Sequence, residues 1–239
     1  MARGGVLVAL DTTDVAAAKG WARSTRDSVA GIKLGLEFFN ARGPAGVAEI
    51  AALGAPVFLD LKFHDIPNTV AGAVRAVAPL QPMILNLHAS GGAAMMRAAL
   101  DAARDSAARL SVTPPKLIGV TALTSLSDAD LAEVGQPAGA SDQVRRLAAL
   151  TQACGLDGVV ASPHEIAMLR RDLGPDFLLV IPGVRPSWAA AGDQKRVMEP
   201  RQAMEAGADY LVIGRPITGA ADPAEAARRI ALEIAGVPA

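Results

Sequence analysis

One cysteine, Cys154, occurs in the 239 residues, so no intramolecular disulfide can form and no metal-site spacing of cysteine and histidine arises. That usage fits a reducing compartment, the cytoplasm. Aromatic residues make up only 3% of the chain and the net charge is −1. With no basic field, nucleic acid is not an expected partner, and a small molecule is. No run of roughly 18 uncharged apolar residues is found, so no membrane span is expected. The opening M-A-R-G-G-V-L-V-A-L-D is too short in its apolar part for a signal peptide. No G-x-G-x-x-G follows the first apolar run, which argues against an open dinucleotide-binding sheet. Low-complexity segments and linkers are lacking too, so residues 1–239 are expected to form a single domain.

What is present is an alternation. Apolar, strand-like runs occur at Val6–Asp11, Gly31–Gly35, Pro56–Lys62, Ile84–His88, Lys116–Thr121, Gly158–Ala161, Phe177–Ile181 and Tyr210–Ile213. Between them lie Ala- and Leu-rich helical patterns. Ser162-Pro163-His164-Glu165 and Asp222-Pro223-Ala224-Glu225 each supply a cap, a first-turn proline and an acidic third position. Gly54, Gly155, Gly174 and Gly207 follow helical runs and precede strands, as left-handed helix stops do. Near-continuous apolar strands alternating eight times with helices predict a parallel sheet closed as a (β/α)8 TIM barrel, an α/β fold. Cys154 falls on the apolar side of the run Val144, Leu147, Thr151, so its expected role is buried packing.

The organising stretch is V-F-L-D-L-K-F-H-D-I-P-N-T, Val57 to Thr69. Strand alternation puts Val57, Leu59, Leu61 and Phe63 on one face and Asp60 with Lys62 on the other. Ile66-Pro67-Asn68-Thr69 then reads as a turn followed by a helix cap. Asp11, Lys33, Asp60 and Lys62 all fall at the carboxyl ends of the first three strands, the rim where barrel active sites are built, and Asp65 lies in the loop beyond. Charges enclosed there are costly unless paired and used. A second cluster follows strands seven and eight: I-P-G-V-R-P (Ile181 to Pro186) and I-G-R-P-I-T (Ile213 to Thr218). Glycine-allowed close approach of the backbone, a helix start and Arg215 suit a phosphate dianion, with Arg185 and Gln194 as further donors. The segment Ser187 to Val197, with Gly192 as pivot, is long enough to be a lid.

D-L-K-F-H-D-I-P-N-T, together with I-K-L-G, T-A-L-T-S-L, P-G-V-R-P, G-D-Q-K-R-V and L-V-I-G-R-P-I-T, closely resembles the orotidine 5'-phosphate decarboxylases over Asp11 to Thr218. The resemblance implies a cofactor-free, metal-free homodimer that converts orotidine monophosphate to uridine monophosphate, the last step of pyrimidine nucleotide synthesis. By the same resemblance Asp11 and Lys33 contact the ribose, with Lys33 also in the charged array. Asp60 lies near the scissile carboxylate and Lys62 is the proton donor. Asp65, Ile66 and Thr69 reach into the neighbouring subunit's site. Thr124 and its neighbour Ser125 bind the nucleotide, and Arg185, Gln194, Gly214 and Arg215 hold the phosphate.

Two rival readings stand beside it. A magnesium-dependent phosphosugar decarboxylase of the same barrel group shares the D-x-K-x-x-D strand, but Lys33 puts a fixed cation where a metal-binding carboxylate is expected. A non-catalytic nucleotide-binding barrel is compatible with the fold, but gives no reason for a complete array of buried charges. Of the histidines, His64 and His88 are expected to be structural and His164 to be a first-turn helix residue. Trp188 is either a closing contact of the lid or a partly exposed anchor.

Overall fold

The computed structural model describes residues 4–136, 139–189 and 198–236. Eight parallel strands close a barrel in chain order: β1 (Gly5–Ala9), β2 (Gly31–Leu34), β3 (Val57–Phe63), β4 (Ile84–His88), β5 (Lys116–Val120), β6 (Gly158–Val160), β7 (Leu178–Pro182) and β8 (Tyr210–Ile213). Closure comes from β8 returning to β1, with Gly5 opposite Tyr210 and Val8 opposite Ile213. The helices outside are α1 (Val15–Thr25), α2 (Leu36–Ala51), α3 (Pro67–Val77), α4 (Gly92–Leu110), α5 (Asp128–Glu133), α6 (Ala140–Ala153), α7 (Ile166–Leu173), α8 (Pro200–Glu205), α9 (Arg215–Thr218) and α10 (Pro223–Ile234). The expected (β/α)8 barrel is therefore the observed fold.

Local chemistry explains the boundaries. The Asp14 carboxylate accepts from the N–H groups of Ala16 and Ala17 and starts α1, and Asp222 accepts from Glu225 N–H to start α10. Gly54, Gly155, Gly174 and Gly207 all have φ between 83° and 111°, the left-handed state that ends a helix at little cost to glycine. Three expectations change. β1 ends at Ala9, so Asp11 lies in the loop two residues beyond it. At the end of β3 no side-chain cap forms: α3 begins with Pro67 in its first turn behind Ile66, and Asn68 and Thr69 are already helical. β3 is also not a regular strand to its end, because Lys62 has φ 49°.

Two apolar cores result from the pleat. Leu7, Phe58, Ile84, Ile118 and Val180 fill the inside of the barrel, each 1% exposed or less. Their neighbours in sequence, such as Val8, Leu59, Leu85 and Leu179, point outward against the helices. Burying each large aliphatic or aromatic side chain contributes about 1.5–3 kcal/mol. The inner plug forms the floor on which the charged rim stands. Cys154, 6% exposed at the end of α6, packs in the outer core as expected.

A part-buried ion pair, Arg170 with Asp209, lies at the opposite end of the barrel. Arg170 on α7 donates to the carbonyls of Gly174, Phe177 and Gly207 and to the Asp209 carboxylate, at 2.6–3.0 Å. Asp209 also accepts from Leu179 N–H at 2.8 Å. The amino ends of β7 and β8 are tied together by this network.

Candidate active site

At the carboxyl end of the strands a cavity of about 320 Å³ opens over the inner core. It is lined by Asp11, Lys33, Asp60 and Lys62, which follow or end β1 to β3, and by Thr124, Arg185, Gly214 and Arg215, which follow β5, β7 and β8. Eight of the residues singled out from the sequence thus share one chamber. Strand alternation is what delivers the first group: Lys33 follows Gly31 and Asp60 follows Phe58 by two positions, so each stands one layer above the apolar floor.

The charges form a connected row. Lys33 Nζ lies 3.1 Å from Asp11 Oδ1 and 3.4 Å from Asp60 Oδ2, and Lys62 Nζ lies 2.6 Å from Asp60 Oδ1. Lys33 is 7% and Asp60 8% exposed, so both ends of the inner pair have lost most of their water. Burial pushes the Asp60 carboxyl up, but the ammonium groups of Lys33 and Lys62 and hydrogen bonds from Lys62 and Asn86 outweigh it. Its pKa is held below the ordinary 3.8, and the group is an anion at neutral pH. Gly35 permits the arrangement: a Cβ there would come within 2.8 Å of Lys33 Nζ.

Asp65, Ile66 and Thr69 do not join the cavity and instead point outward, Ile66 being 66% exposed. Asp65 is engaged within its own turn, its Oδ1 accepting from Ile66 N–H at 2.6 Å. Ser125 faces a neighbouring cavity that shares the wall Ala122 to Thr124 with the first. Gln194 and Gly192 lie outside the described residues, as does most of the expected lid. Of that segment's described part, Trp188 is half-buried with the Arg229 guanidinium 4.7 Å over its ring, which makes it an anchor against α10. The connection is bracketed where Arg185 N–H donates to Met198 O at 3.0 Å.

His64 lies beyond β3 with its ring centroid 5.3 Å from that of His88, and neither lines the chamber. Burial, and then the charges of His64 and Lys62, push the His88 pKa below 6.5 against the pull of Asp60. His164 sits in a short helical turn behind Ser162, as read from the sequence. One residue was missed. Asn86 on β4, 1% exposed, bonds both Asp60 and the backbone of Lys62. Its signal was a polar side chain at an inward position of the otherwise apolar I-L-N-L-H strand.

A closed barrel with a cation–anion–cation row at its carboxyl rim, facing a basic, glycine-bearing loop pair across the mouth, defines a (β/α)8-barrel enzyme. Comparison with known proteins narrows the class. The family model described as Orotidine 5'-phosphate decarboxylase / HUMPS family matches residues 5–230. The chain is 62% identical over 237 residues to the orotidine 5'-phosphate decarboxylase of Rhodospirillum rubrum, covering 99% of this chain and 96% of that one. It is 56% identical over 229 residues to that of Paramagnetospirillum magneticum, covering 96% and 97%. The crystal structure of the Lactobacillus acidophilus orotidine 5'-phosphate decarboxylase superposes with a TM-score of 0.85 at 35% identity, covering 98% of this chain and 99% of that one. The chain belongs to the orotidine 5'-phosphate decarboxylase / HUMPS family.

Proposed function

We propose that this chain, acting as one barrel domain, decarboxylates orotidine 5'-monophosphate to uridine 5'-monophosphate in pyrimidine nucleotide synthesis. The observation that carries the reading is the Lys33–Asp60–Lys62 row above the apolar floor. Loss of carbon dioxide from the pyrimidine leaves an electron pair on a ring carbon with poor delocalisation, so the anion needs electrostatic stabilisation. An ammonium already fixed by neighbouring carboxylates supplies it without solvent reorganisation. In this reading Lys62 stands beside the reacting carbon and protonates it. Asp60 sets its negative charge against the departing carboxylate: at about 4 Å and an effective dielectric near 20, two like charges repel by roughly 4 kcal/mol, and departure of carbon dioxide relieves this.

The remaining roles follow the chamber. Asp11 and Lys33 hold the ribose, Thr124 and Ser125 the base, and Arg185, Gln194, Gly214 and Arg215 the phosphate. Binding energy from the phosphate, remote from the bond that breaks, then assembles the site. The functional unit is a cytoplasmic homodimer, supported by the outward placement of Asp65, Ile66 and Thr69 on one exposed face at the mouth. Asp65 of one subunit would complete the charge row of the other. Among the described residues no helix is long and apolar enough to cross a membrane.

The magnesium-dependent phosphosugar reading is disfavoured by Lys33, whose ammonium stands against Asp60 where a cation-binding carboxylate would be needed. Carbon dioxide release from orotidine monophosphate, undiminished in chelator, is the expected result. No release would refute the function, and release abolished by chelator would favour the rival. For the shared site, mixing Lys62→Ala subunits with Asp65→Asn subunits should restore turnover in hybrid dimers. No recovery after verified subunit exchange argues against it.

A further inference from the structure

The β3–β4 ladder is irregular at one place. Leu59 pairs with Leu85 and Phe63 with Leu87, so four steps along β3 match two along β4. The slack is taken up at Asp60 to Lys62, where Lys62 adopts φ 49°. A side chain, and not the backbone ladder, receives the stranded N–H: Lys62 N donates to Asn86 Oδ1 at 2.8 Å. The other end of the same amide donates, Asn86 Nδ2 to Asp60 Oδ1 at 2.7 Å.

The two bonds fix each other's direction. A backbone N–H can only donate, so the amide oxygen must face Lys62 and the amide nitrogen must face Asp60. Asp60 must then offer an acceptor, which it does as a carboxylate. Its Oδ1 is occupied by Asn86 and by Lys62 Nζ at 2.6 Å, which turns Oδ2 toward Lys33. One buried side chain therefore sets both the backbone from which the Lys62 ammonium projects and the plane of the Asp60 carboxylate.

We infer that Asn86 is a positioning residue for the reaction, holding the proton donor and its partner carboxylate in register without touching the nucleotide. The inference rests on the decarboxylase reading of Lys62 and Asp60. Around residue 86 the charged groups are Asp60 and Lys62 on β3 and, behind Asp60, Lys33 on β2. On its own strand His88 stands two positions on, paired with His64. On the neighbouring strand β5 Asn86 lies opposite the apolar Ile118, and that strand's one charged residue, Lys116, is exposed at its amino end and paired with Asp157.

The test is Asn86→Asp, because a neutral carboxylic acid reproduces the amide: its carbonyl accepts from Lys62 N–H and its hydroxyl donates to Asp60. An ionised Asp at 86 would instead face the Asp60 anion. At pH 8 kcat of N86D should fall on the order of 10²-fold, the scale of a misplaced reacting group. KM and the affinity for uridine monophosphate should stay within about three-fold, since the phosphate and ribose contacts are elsewhere. As pH falls toward 5, N86D should regain kcat relative to wild type. Asn86→Ala, which keeps both histidines but cannot mimic the amide, should lose kcat without acid recovery. A wild-type kcat in either variant, a loss expressed in KM, or an N86D loss that acid does not relieve would overturn the inference; if N86D does not fold, the kcat and KM of N86A decide. Absence of wild-type carbon dioxide release would sink the functional reading and this inference with it, whereas wild-type release with an unaltered N86D sinks the inference alone.

Discussion

The barrel carries an ion pair with a buried carboxylate at each end, and the two are built differently. At the amino end, all five N–H donors of Arg170 meet protein oxygens, four of them backbone carbonyl contacts and one the Asp209 carboxylate. At the carboxyl end, the Lys62 ammonium meets one oxygen among the described residues, that of Asp60, and turns its remaining donors to the chamber. Charge of the same kind is saturated where it ties the strand ends together and left with open donors where the proposed reaction takes place. A buried charge is thus diagnostic only when its remaining hydrogen-bonding capacity is counted.

Breaking the two clusters should separate activity from stability. The largest effect is expected for Lys62→Ala: the proposed proton donor and its ammonium charge are both removed, so kcat should drop by at least about 10⁴-fold. Uridine monophosphate should still bind, as read by calorimetry. Next comes Arg170→Ala, which leaves Asp209 buried without its partner and should lower unfolding free energy by about 3–5 kcal/mol in urea titration. Turnover per folded molecule should be unchanged, and a loss there would erase the contrast between the two ends. Gly35→Ala pushes on the Lys33 ammonium, a mobile side-chain end, so a kcat loss of about 10-fold with little change in melting temperature is expected.

Acid sharpens the comparison most gently. The Asp60 carboxyl is held below 3.8, so its contribution to stability is complete above that value and is lost as pH falls through its lowered pKa. The His88 pKa is pushed below 6.5, so its contribution is complete above 6.5 and is lost as pH falls through the lowered value. Between pH 7 and 5 wild type should lose stability more steeply than His88→Gln in parallel denaturant titrations; identical slopes would show that His88 does not contribute.

Much of this was legible because strand periodicity and helix punctuation are local. Tyr210–Ile213 and Ile84–His88 form strands with the bounds read from the sequence, β2, β5 and β6 differ by one residue at one end, and β1, β3 and β7 are offset by one or two residues at both ends. The faces of β3 also hold, with Leu59 and Leu61 in the outer core and Asp60 and Lys62 lining the chamber. What alternation cannot convey is the bulge at Lys62, since it depends on an amide from another strand 24 residues away. Asn86 is illegible in the sequence for the same reason: what sets it apart is the pair of groups it joins, Lys62 N–H and Asp60. The short α5 is marked by Ser127 and Asp130, which form a reciprocal cap, a pattern too brief to stand out beside a six-residue helix.

The left-handed backbone at position 62 has a consequence for directed evolution. Lysine there costs roughly 1–2 kcal/mol that glycine would not, and Asp60 would keep Lys33 and Asn86 as partners after such a change. A library ranked by melting temperature alone would therefore tend to enrich glycine at this codon and discard the proposed proton donor. Heat tolerance and turnover must be scored together, or the sturdiest clones recovered will be inert.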